Sequence, residues 1–443
     1  MRLTLTVLLA VLMVGVAVPA FAELQNVEVG GSIRIRGNYF GAGASQLSFD
    51  DNDADSFSVE QRTLINVKAD FTDDVTAFIE LDSYNIFGDD FRGGPSDPFF
   101  LEGVDNDSET SIGLYQGYIE MREAWGYPLT IKMGRQEIQL GSEWLIGNND
   151  TSSSFKGLSF DSVLARYDAD QFSLTALWAR LADNNSSRFE KDDDADLYSV
   201  YASYTGLEDM TIDAYWILAR VANTDTLELF AAPLATEATE IHTFGLRFAG
   251  VYSQFDWDVE GAVQTGESGI SGVDQDAFGA TGEGGYTFDM EYQPRIFVKG
   301  SFYSGDDDDA PFNRLFSDHE DSEFLGNTDL TNYWSIGGGV SAQVTEKIEL
   351  TGVGTYFQVD EEDDFQGIPL SGEDNLGFEI GLYATYNYSE DLYFEAGYAH
   401  FFADDAVQDA PGAFIAGNGT VAVGGSGQDD DLDYFYIETG ISF

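Results

Sequence analysis

The sequence predicts an all-β protein: a single transmembrane antiparallel up-and-down β-barrel of about eighteen strands, with short periplasmic turns and long acidic extracellular loops. Three observations lead to this prediction. Polar and apolar residues alternate with period two along most of the chain, long acidic connections alternate with short turns, and no apolar run after residue 22 is long enough for a transmembrane helix. Such a chain crosses a membrane only as strands.

Composition excludes several classes of protein. The 443 residues include 20 Lys and Arg against 79 Asp and Glu, a formal net charge of -59. Nucleic acid is therefore excluded as a partner, because phosphate binding needs clustered basic residues. The absence of Cys excludes a disulfide framework and a thiolate metal site. An aromatic content of 14% argues against disorder, since disordered chains lack such residues.

Residues 1–22 have the pattern of a secretory signal peptide. Arg2 supplies the positive start, residues 3–18 form an apolar run, and Ala20-Phe21-Ala22 form a small-x-small cleavage site. A membrane anchor is the alternative, but the run is shorter than the roughly 20 residues that a span needs. We therefore expect a signal peptide at 1–22 and an outer-membrane β-barrel at 23–443.

The strands are predicted from alternation that begins near residue 27. Ile33 and Ile35 fall on an apolar phase, whereas Arg34 and Arg36 fall on the polar phase between them. A soluble β-sandwich also alternates, but it buries its apolar face in a core. An outer-membrane barrel turns that face to lipid. The residues expected to face lipid include Ile33, Ile79, Val298 and Ile437.

The rhythm of the connections favours the membrane barrel over the sandwich. Long loops are predicted at about 41–55, 87–110, 141–153, 184–194, 222–237, 268–275, 305–329, 360–372 and 404–429. Short turns fall near 72–73, 124–126, 169–170, 206–208, 251–253, 289–292, 344–346 and 389–390. Nine long and eight short connections imply eighteen strands, with both chain ends on the short-turn, periplasmic rim. The strand segments are expected to run about 11 to 16 residues, and the last ends on the aromatic Phe443.

The polar phase of the strands identifies candidate lumen residues. The basic candidates are Arg34, Arg36, Arg62, Lys68, Arg122, Lys132, Arg135, Arg247, Arg295 and Lys299. The acidic candidates are Glu60, Glu80, Asp82, Glu120, Asp256, Asp258 and Glu260. Arg135 continues the phase of Ile131 and Met133, so it lines the pore only if a bulge at Gly134 turns it inward, and otherwise lies at the rim.

Two interpretations of these charged residues stay open at this stage. They could form mutually compensating ion pairs that brace a large barrel, or the basic residues could form a track along which an anion passes. A barrel of this strand number leaves an aqueous channel unless a loop fills it.

Most other carboxylates fall in acidic runs within the long loops. The runs lie at 50–53, 192–194, 306–309, 361–364 and 429–431. Calcium takes carboxylate oxygens, but no run has the EF-hand spacing. We therefore expect a solvated acidic rim with at most weak calcium association, no dedicated metal site and no cofactor.

The sequence does not predict an enzyme. The three histidines, His242, His319 and His400, lie far apart, and neither a Gly-x-Ser-x-Gly elbow nor a His-Glu-x-x-His helix is present. A pair of carboxylates could hydrolyse a glycan, but pairs arise by chance among 79 acidic residues.

One stretch of about thirty residues carries a family signature. Gly134-Arg135-Gln136-Glu137 ends one strand, Leu145-Ile146-Gly147 lies in a polar loop, and Phe160-Asp161-Ser162-Val163 opens the next strand. This pattern resembles the hairpin of the alginate-export family of outer-membrane porins. Two positions depart from it: Trp144 stands where the family usually has a basic residue, and Ser162 stands where it has Gly.

The resemblance implies an outer-membrane channel that passes a polar or anionic polysaccharide, or a small anionic solute, by passive diffusion. The alternatives are a general or cation-preferring porin whose acidic mouth concentrates cations, and a surface interaction protein that works through its loops. The expected partners are outer-membrane lipid and a polar or anionic solute, and the sequence does not predict an oligomeric state.

Overall fold

A computed structural model describes residues 25–41, 56–87, 112–150, 155–183, 194–222, 237–305, 309–324, 331–361, 364–365, 368–369, 374–404, 406, 415–416, 420–421 and 431–443. The predicted signal peptide lies outside these residues and stays a prediction. No helix in the described ranges is long and apolar enough to cross a membrane.

Eighteen strands form the wall of the molecule. Their bounds are β1 Asn26–Gly41, β2 Ser56–Thr72, β3 Val75–Ile86, β4 Gly113–Met121, β5 Leu129–Gln136, β6 Phe160–Asp168, β7 Phe172–Asp183, β8 Asp194–Leu207, β9 Met210–Val221, β10 Thr239–Tyr252, β11 Phe255–Ser268, β12 Ala277–Thr287, β13 Arg295–Tyr303, β14 Tyr333–Thr345, β15 Ile348–Val359, β16 Asn375–Asn387, β17 Leu392–Ala403 and β18 Leu432–Ser442. Two short hairpins, 364–365 with 368–369 and 415–416 with 420–421, lie in long connections.

The sheet closes on itself. Each strand pairs antiparallel with the next, and β1 pairs with both β2 and β18, for instance through Ile33 opposite Ile441. Closure leaves no edge strand, so each strand has a hydrogen-bonded neighbour on both sides for its backbone N–H and C=O groups. A sheet that spans lipid requires this. The predicted eighteen-stranded up-and-down barrel is confirmed.

Alternation along each strand separates an apolar outer wall from a polar lumen. Ile79, Val298 and Ile437 are more than half exposed, as expected of side chains that face lipid rather than a protein core. The intervening residues point inward, and Glu80 and Arg36 among them are buried. The alternation therefore decides which side chains meet the lumen.

The connections alternate in length as predicted, with two residues between β2 and β3 and 26 between β3 and β4. Strand lengths differ from the expected 11 to 16 residues, since β5 has 8 residues and β2 has 17. The short β5 ends where the chain leaves the wall and enters the lumen, a departure that alternation within the strand does not reveal.

Candidate functional site

Two extracellular connections fold into the barrel and narrow its lumen. We call residues 137–150 inner segment A and residues 309–324 inner segment B. Ile146 of segment A forms a parallel bridge with Phe316 of segment B. Backbone hydrogen bonds join them on both sides, from Gly147 N to Phe316 O and from Phe316 N to Leu145 O, each 2.9 Å long. The two segments therefore act as one packed unit inside the wall.

An aromatic cluster holds this unit in place. Trp144 of segment A is fully buried, with its ring stacked on Phe312 of segment B at a centroid distance of 5.5 Å. Its Nε1 donates to the hydroxyl of Tyr303 on β13 over 3.1 Å. Burying an aromatic side chain with its polar atom paired is strongly favourable. The Trp that departs from the family pattern is thus the anchor of the inner unit.

Polar anchors tie segment A to the wall at β9–β11. Ser142 Oγ donates to Glu260 over 2.6 Å, and the hydroxyl of Tyr215 donates to the same carboxylate over 2.7 Å. Beside them, Arg247 donates to Asp213 over 2.9 Å and also pairs with Asp258. These bonds satisfy charged groups that would otherwise be costly to bury.

A second polar anchor centres on Asp321 of segment B. Its buried carboxylate accepts from Ser301 Oγ over 2.6 Å and from the hydroxyl of Tyr333 over 2.7 Å. Burial alone would raise the pKa of Asp321, but His319 and the positive charges of Arg314 and Lys299 lower that pKa well below its ordinary range. The carboxylate is therefore ionised and held by donors.

Segment B also places the buried carboxyl group of Glu323 next to Glu379 on the wall. Glu379 of β16 accepts from Ser322 Oγ and, over 3.1 Å, from the backbone N–H of Glu323. Burial, together with the negative charges of Glu320 and Glu379, raises the pKa of Glu323 to about 8. Near neutral pH this side chain is therefore mostly protonated.

A basic cluster lies on the wall next to segment A. It comprises Arg34 and Arg36 of β1 and Arg62 of β2, with Arg34 directly opposite Arg62 in the strand register. Asp150 contacts both Arg34 and Arg62, with its Oδ1 2.9 Å from Arg62 Nη1. Glu438 accepts from Arg36 Nε over 2.7 Å. Three guanidinium groups thus share carboxylates contributed by the wall and by segment A.

Phe155 and Gly157 shape the surroundings of this cluster. The guanidinium carbons of Arg34 and Arg36 lie 4.5 Å and 5.5 Å from the ring centroid of Phe155, a cation–π arrangement. Gly157 has a φ of +70°, and a Cβ there would lie 2.7 Å from Arg62 Nη2. Only glycine lets the backbone approach the guanidinium so closely.

The other predicted lumen residues face inward in separate groups rather than in one ring. Three basic residues form ion pairs: Lys68 loosely with Glu28 and Asp70, Arg122 with Glu120, and Arg295 with Asp256 and Glu283. Two others make different contacts, since Lys132 lies over the ring of Tyr118 and Lys299 donates to the backbone of Asp321. Among the acidic residues, Glu80 accepts from Gln116, Asp82 accepts from Arg62, and Glu60 lies near Arg36. The strand phases therefore bring most of the candidates to the lumen. Sequence reasoning did not find the shared partners Asp150 and Glu438.

Arg135 is the exception: its assignment to the pore lining is wrong, and of the two positions left open for it the structure has the one at the rim. No register shift occurs at Gly134, so Arg135 keeps the outward phase of Met133. Its Nε and Nη2 donate to Asp161 on the outer wall over 2.9 and 2.8 Å. Gly134 has a φ of +131°, and a Cβ would lie 2.2 Å from the carbonyl oxygen of Gly117. The glycine at 134 permits this close approach to Gly117 and does not turn the next side chain inward.

The remaining motif residues mark where segment A enters the lumen. Gln136 is buried and donates to the backbone of Lys132 and Ser162, Glu137 accepts from the hydroxyl of Tyr115 over 2.6 Å, Gly147 packs against Asp318, and Phe160 meets Phe316 edge to face at 5.1 Å. The motif thus builds the hinge of the inner unit. Its only sequence signal for inward folding is the apolar Trp144-Leu145-Ile146 within a polar loop.

Comparison with solved structures identifies the fold. OccAB2 of Acinetobacter baumannii is similar at 10% identity and a TM-score of 0.58, covering 94% of this chain and 98% of that chain. OccAB1 of the same organism matches at 14% identity and 0.57, with coverage of 94% and 96%. OccK11 (OpdR) of Pseudomonas aeruginosa matches at 11% identity and 0.57, also with 94% and 96%.

Comparison at the sequence level identifies the family. No curated protein matches the sequence, whereas the model of the family described as alginate export matches residues 25–417. The family and the fold are those of outer-membrane channels of Gram-negative bacteria, which are not enzymes. With the match spanning most of the chain and the signature residues placed as described, the protein belongs to the alginate export family of outer-membrane porins.

Proposed function

We propose that this outer-membrane channel passes a polar, carboxylate-bearing solute, such as an acidic saccharide or a small organic anion, by passive diffusion past the basic cluster. The observation that carries the proposal is the gathering of Arg34, Arg36 and Arg62 beside the segment that narrows the lumen. Arginine is suited to this task because its planar guanidinium binds carboxylates through paired hydrogen bonds.

Asp150 supports the same conclusion. Its carboxylate occupies the position that an anionic solute would take between Arg34 and Arg62. Asp150 is partly exposed, whereas Arg62 is buried, so a solute would reach Arg62 by displacing this carboxylate. The net charge of the whole protein does not oppose this passage, since loop charges more than roughly 8 Å from the path are screened at physiological salt.

Planar-bilayer conductance with a salt gradient tests the proposal. The triple variant Arg34→Gln, Arg36→Gln and Arg62→Gln should shift the reversal potential toward cations while the channel still conducts. Arg166→Gln removes a positive charge near the periplasmic end and serves as the control. The proposal fails if the unmodified channel prefers cations and the triple change leaves that preference untouched.

A cation preference that the triple variant leaves unchanged would favour a cation-preferring porin. The acidic residues Glu60, Asp82 and Glu438 around the cluster give this alternative its support. In that case the arginines would only brace neighbouring strands through compensated pairs.

A further inference from the structure

The outer wall carries a row of charged side chains across six adjacent strands. Arg135 of β5 lies opposite Asp161 of β6, which lies opposite Arg180 of β7. The register continues from Arg180 to Asp196 of β8, then to Arg220 of β9 and to Glu240 of β10. Positive and negative residues alternate without a gap, and the alternation ends at β11, where Glu267 faces Glu240. We call these six residues the outer charge ladder.

Every member of the outer charge ladder points away from the lumen. Residues directly opposite in antiparallel strands share one face of a sheet, and the neighbouring Phe160, Ala179 and Leu197 fill the inward phase and are buried. Among the arginines and lysines on the described strands, only Arg135, Arg180 and Arg220 face outward, and all three belong to the ladder.

The ladder marks the extracellular edge of the lipid-facing band. Each member lies within three residues of the strand end that joins a long connection. Below it, β7 presents Trp178, Leu174 and Phe172 outward. Phe172 is eight positions from Arg180, about 26 Å along the strand, which for a strand tilted by about 40° covers roughly 20 Å of the ~25 Å apolar band of such barrels. Trp178 lies immediately beneath the charges, as expected of an aromatic girdle.

We infer that the outer charge ladder binds the head group of a phosphorylated glycolipid in the outer leaflet, the lipopolysaccharide class. The arginines stand on every second strand and are thus roughly 10 Å apart, which suits a head group with more than one phosphate. Guanidinium is the side chain best matched to phosphate oxygens.

The contacts within the ladder leave donors for such a ligand. Arg220 has only a loose pairing, with its Nε 3.8 Å from Glu240. Arg135 uses Nε and Nη2 on Asp161 and donates from Nη1 to the carbonyl oxygen of Leu114 over 3.4 Å, and its side chain is 42% exposed. Arg180 is the most engaged, since it pairs with both Asp194 and Asp196. Arg220, at one end of the arginine row, is therefore the most available to phosphate, and Arg135, at the other end, has the most exposed side chain.

Shape favours a lipid over a second barrel as the occupant. The ladder follows a third of an eighteen-stranded wall, which is convex. Two convex barrels touch over a few strands only, whereas lipid head groups can surround the whole arc. A protein partner would leave part of the ladder uncovered.

The experiment measures glycolipid retained by the full-length protein purified in mild detergent. Lipopolysaccharide is the probe and its dephosphorylated form is the reference, and retention per barrel is counted by native mass spectrometry. The test variant combines Arg135→Gln and Arg220→Gln, sparing Arg180 because its removal would leave two carboxylates unpaired. The control combines Arg166→Gln and Lys347→Gln, which removes the same charge at the periplasmic end.

The unmodified protein and the control should retain lipopolysaccharide in preference to its dephosphorylated form, and the test variant should bind it roughly tenfold more weakly. Asp161→Asn combined with Glu240→Gln should strengthen retention, because it removes negative charge beside the phosphates. If the double arginine variant fails to fold, Arg220→Gln alone should still weaken retention.

Three results would overturn the inference: equal retention by the test variant and the control, equal retention of the dephosphorylated form, or a dimer of the unmodified protein that the test variant dissociates.

Discussion

Asp150 Oδ1 lies 2.9 Å from Arg62 Nη1, so a carboxylate from an inner segment is held inside the basic cluster on the wall. Arg34 contacts the same oxygen. An anion that crosses this point must compete with Asp150. The segment that narrows the channel thus also supplies a carboxylate that resembles the proposed solute.

The first prediction concerns this competition. Asp150→Asn should shift the reversal potential toward anions and raise anion conductance, because the amide keeps the shape but no longer neutralises Arg34 and Arg62. Planar-bilayer recordings under a salt gradient provide the measurement. Asp161→Asn makes the same chemical change on the outer wall and should leave both quantities unchanged. A shift toward cations in Asp150→Asn would contradict the competition.

The second prediction concerns the aromatic anchor. Trp144→Ala should destabilise the packing of the inner segments by about 3–5 kcal/mol, the cost of truncating a large buried aromatic side chain. The wall strands should stay paired. Backbone amide exchange should accelerate in residues 140–150, and single-channel conductance should rise. Trp334→Ala removes a Trp from the outer face of β14 and should change neither quantity. Unaltered exchange in Trp144→Ala would show that the hydrogen bonds alone hold segment A.

The barrel wall could be predicted from the sequence because its pattern of residues repeats along every strand. Period-two alternation and the rhythm of turns determine strand number, connection order and which side chains face inward, and Ile79 and Val298 lie outward as predicted. The sequence left Arg135 between the pore and the rim because Gly134 could have formed a bulge, and the structure places it at the rim. A glycine at that position relieves a clash with Gly117 in an unshifted register, and the two cases look alike in sequence.

The inner segments were not predictable for a different reason. Their contacts join residues far apart in the chain, such as Trp144 with Phe312, and these segments have no repeat that reveals such a pairing. The apolar side chains within polar loops were the only signal. The partners of the basic cluster, Asp150 and Glu438, depend on that inward folding and on barrel closure, so they could not be chosen from among 79 acidic residues.

The third prediction tests the lipid face of the wall with adjacent residues. Ile33→Arg should destabilise the barrel by about 2–4 kcal/mol if it lies near the membrane midplane, because it places a cation in hydrocarbon. Ser32→Arg places the same side chain in the lumen and should cost much less. Urea titration of protein folded into lipid vesicles gives the free energy of unfolding. Equal losses for the two variants would contradict the assigned faces.

The fourth prediction concerns pH and segment B. In the packed state, burial and the negative charges of Glu320 and Glu379 raise the pKa of Glu323, Tyr383 and Arg36 lower it, and the net value is about 8. A released Glu323 has the ordinary pKa near 4.5. Its contribution to packing is therefore complete below the ordinary pKa, and is lost progressively as the pH rises to about 8.

Backbone amide exchange in residues 309–324, corrected for the intrinsic effect of pH, should therefore show protection that falls between about pH 4.5 and pH 8. Glu323→Gln keeps the neutral side chain at every pH and should remove most of this dependence. Asp321 acts in the opposite direction, since its lowered pKa makes its contribution present above the ordinary value and lost only in strong acid. The contributions of Glu323 and Asp321 are thus distinguishable, because they change in opposite directions with pH. Protection that rises from pH 5 to pH 8, or that falls equally in Glu323→Gln, would show that Glu323 does not control the packing of segment B.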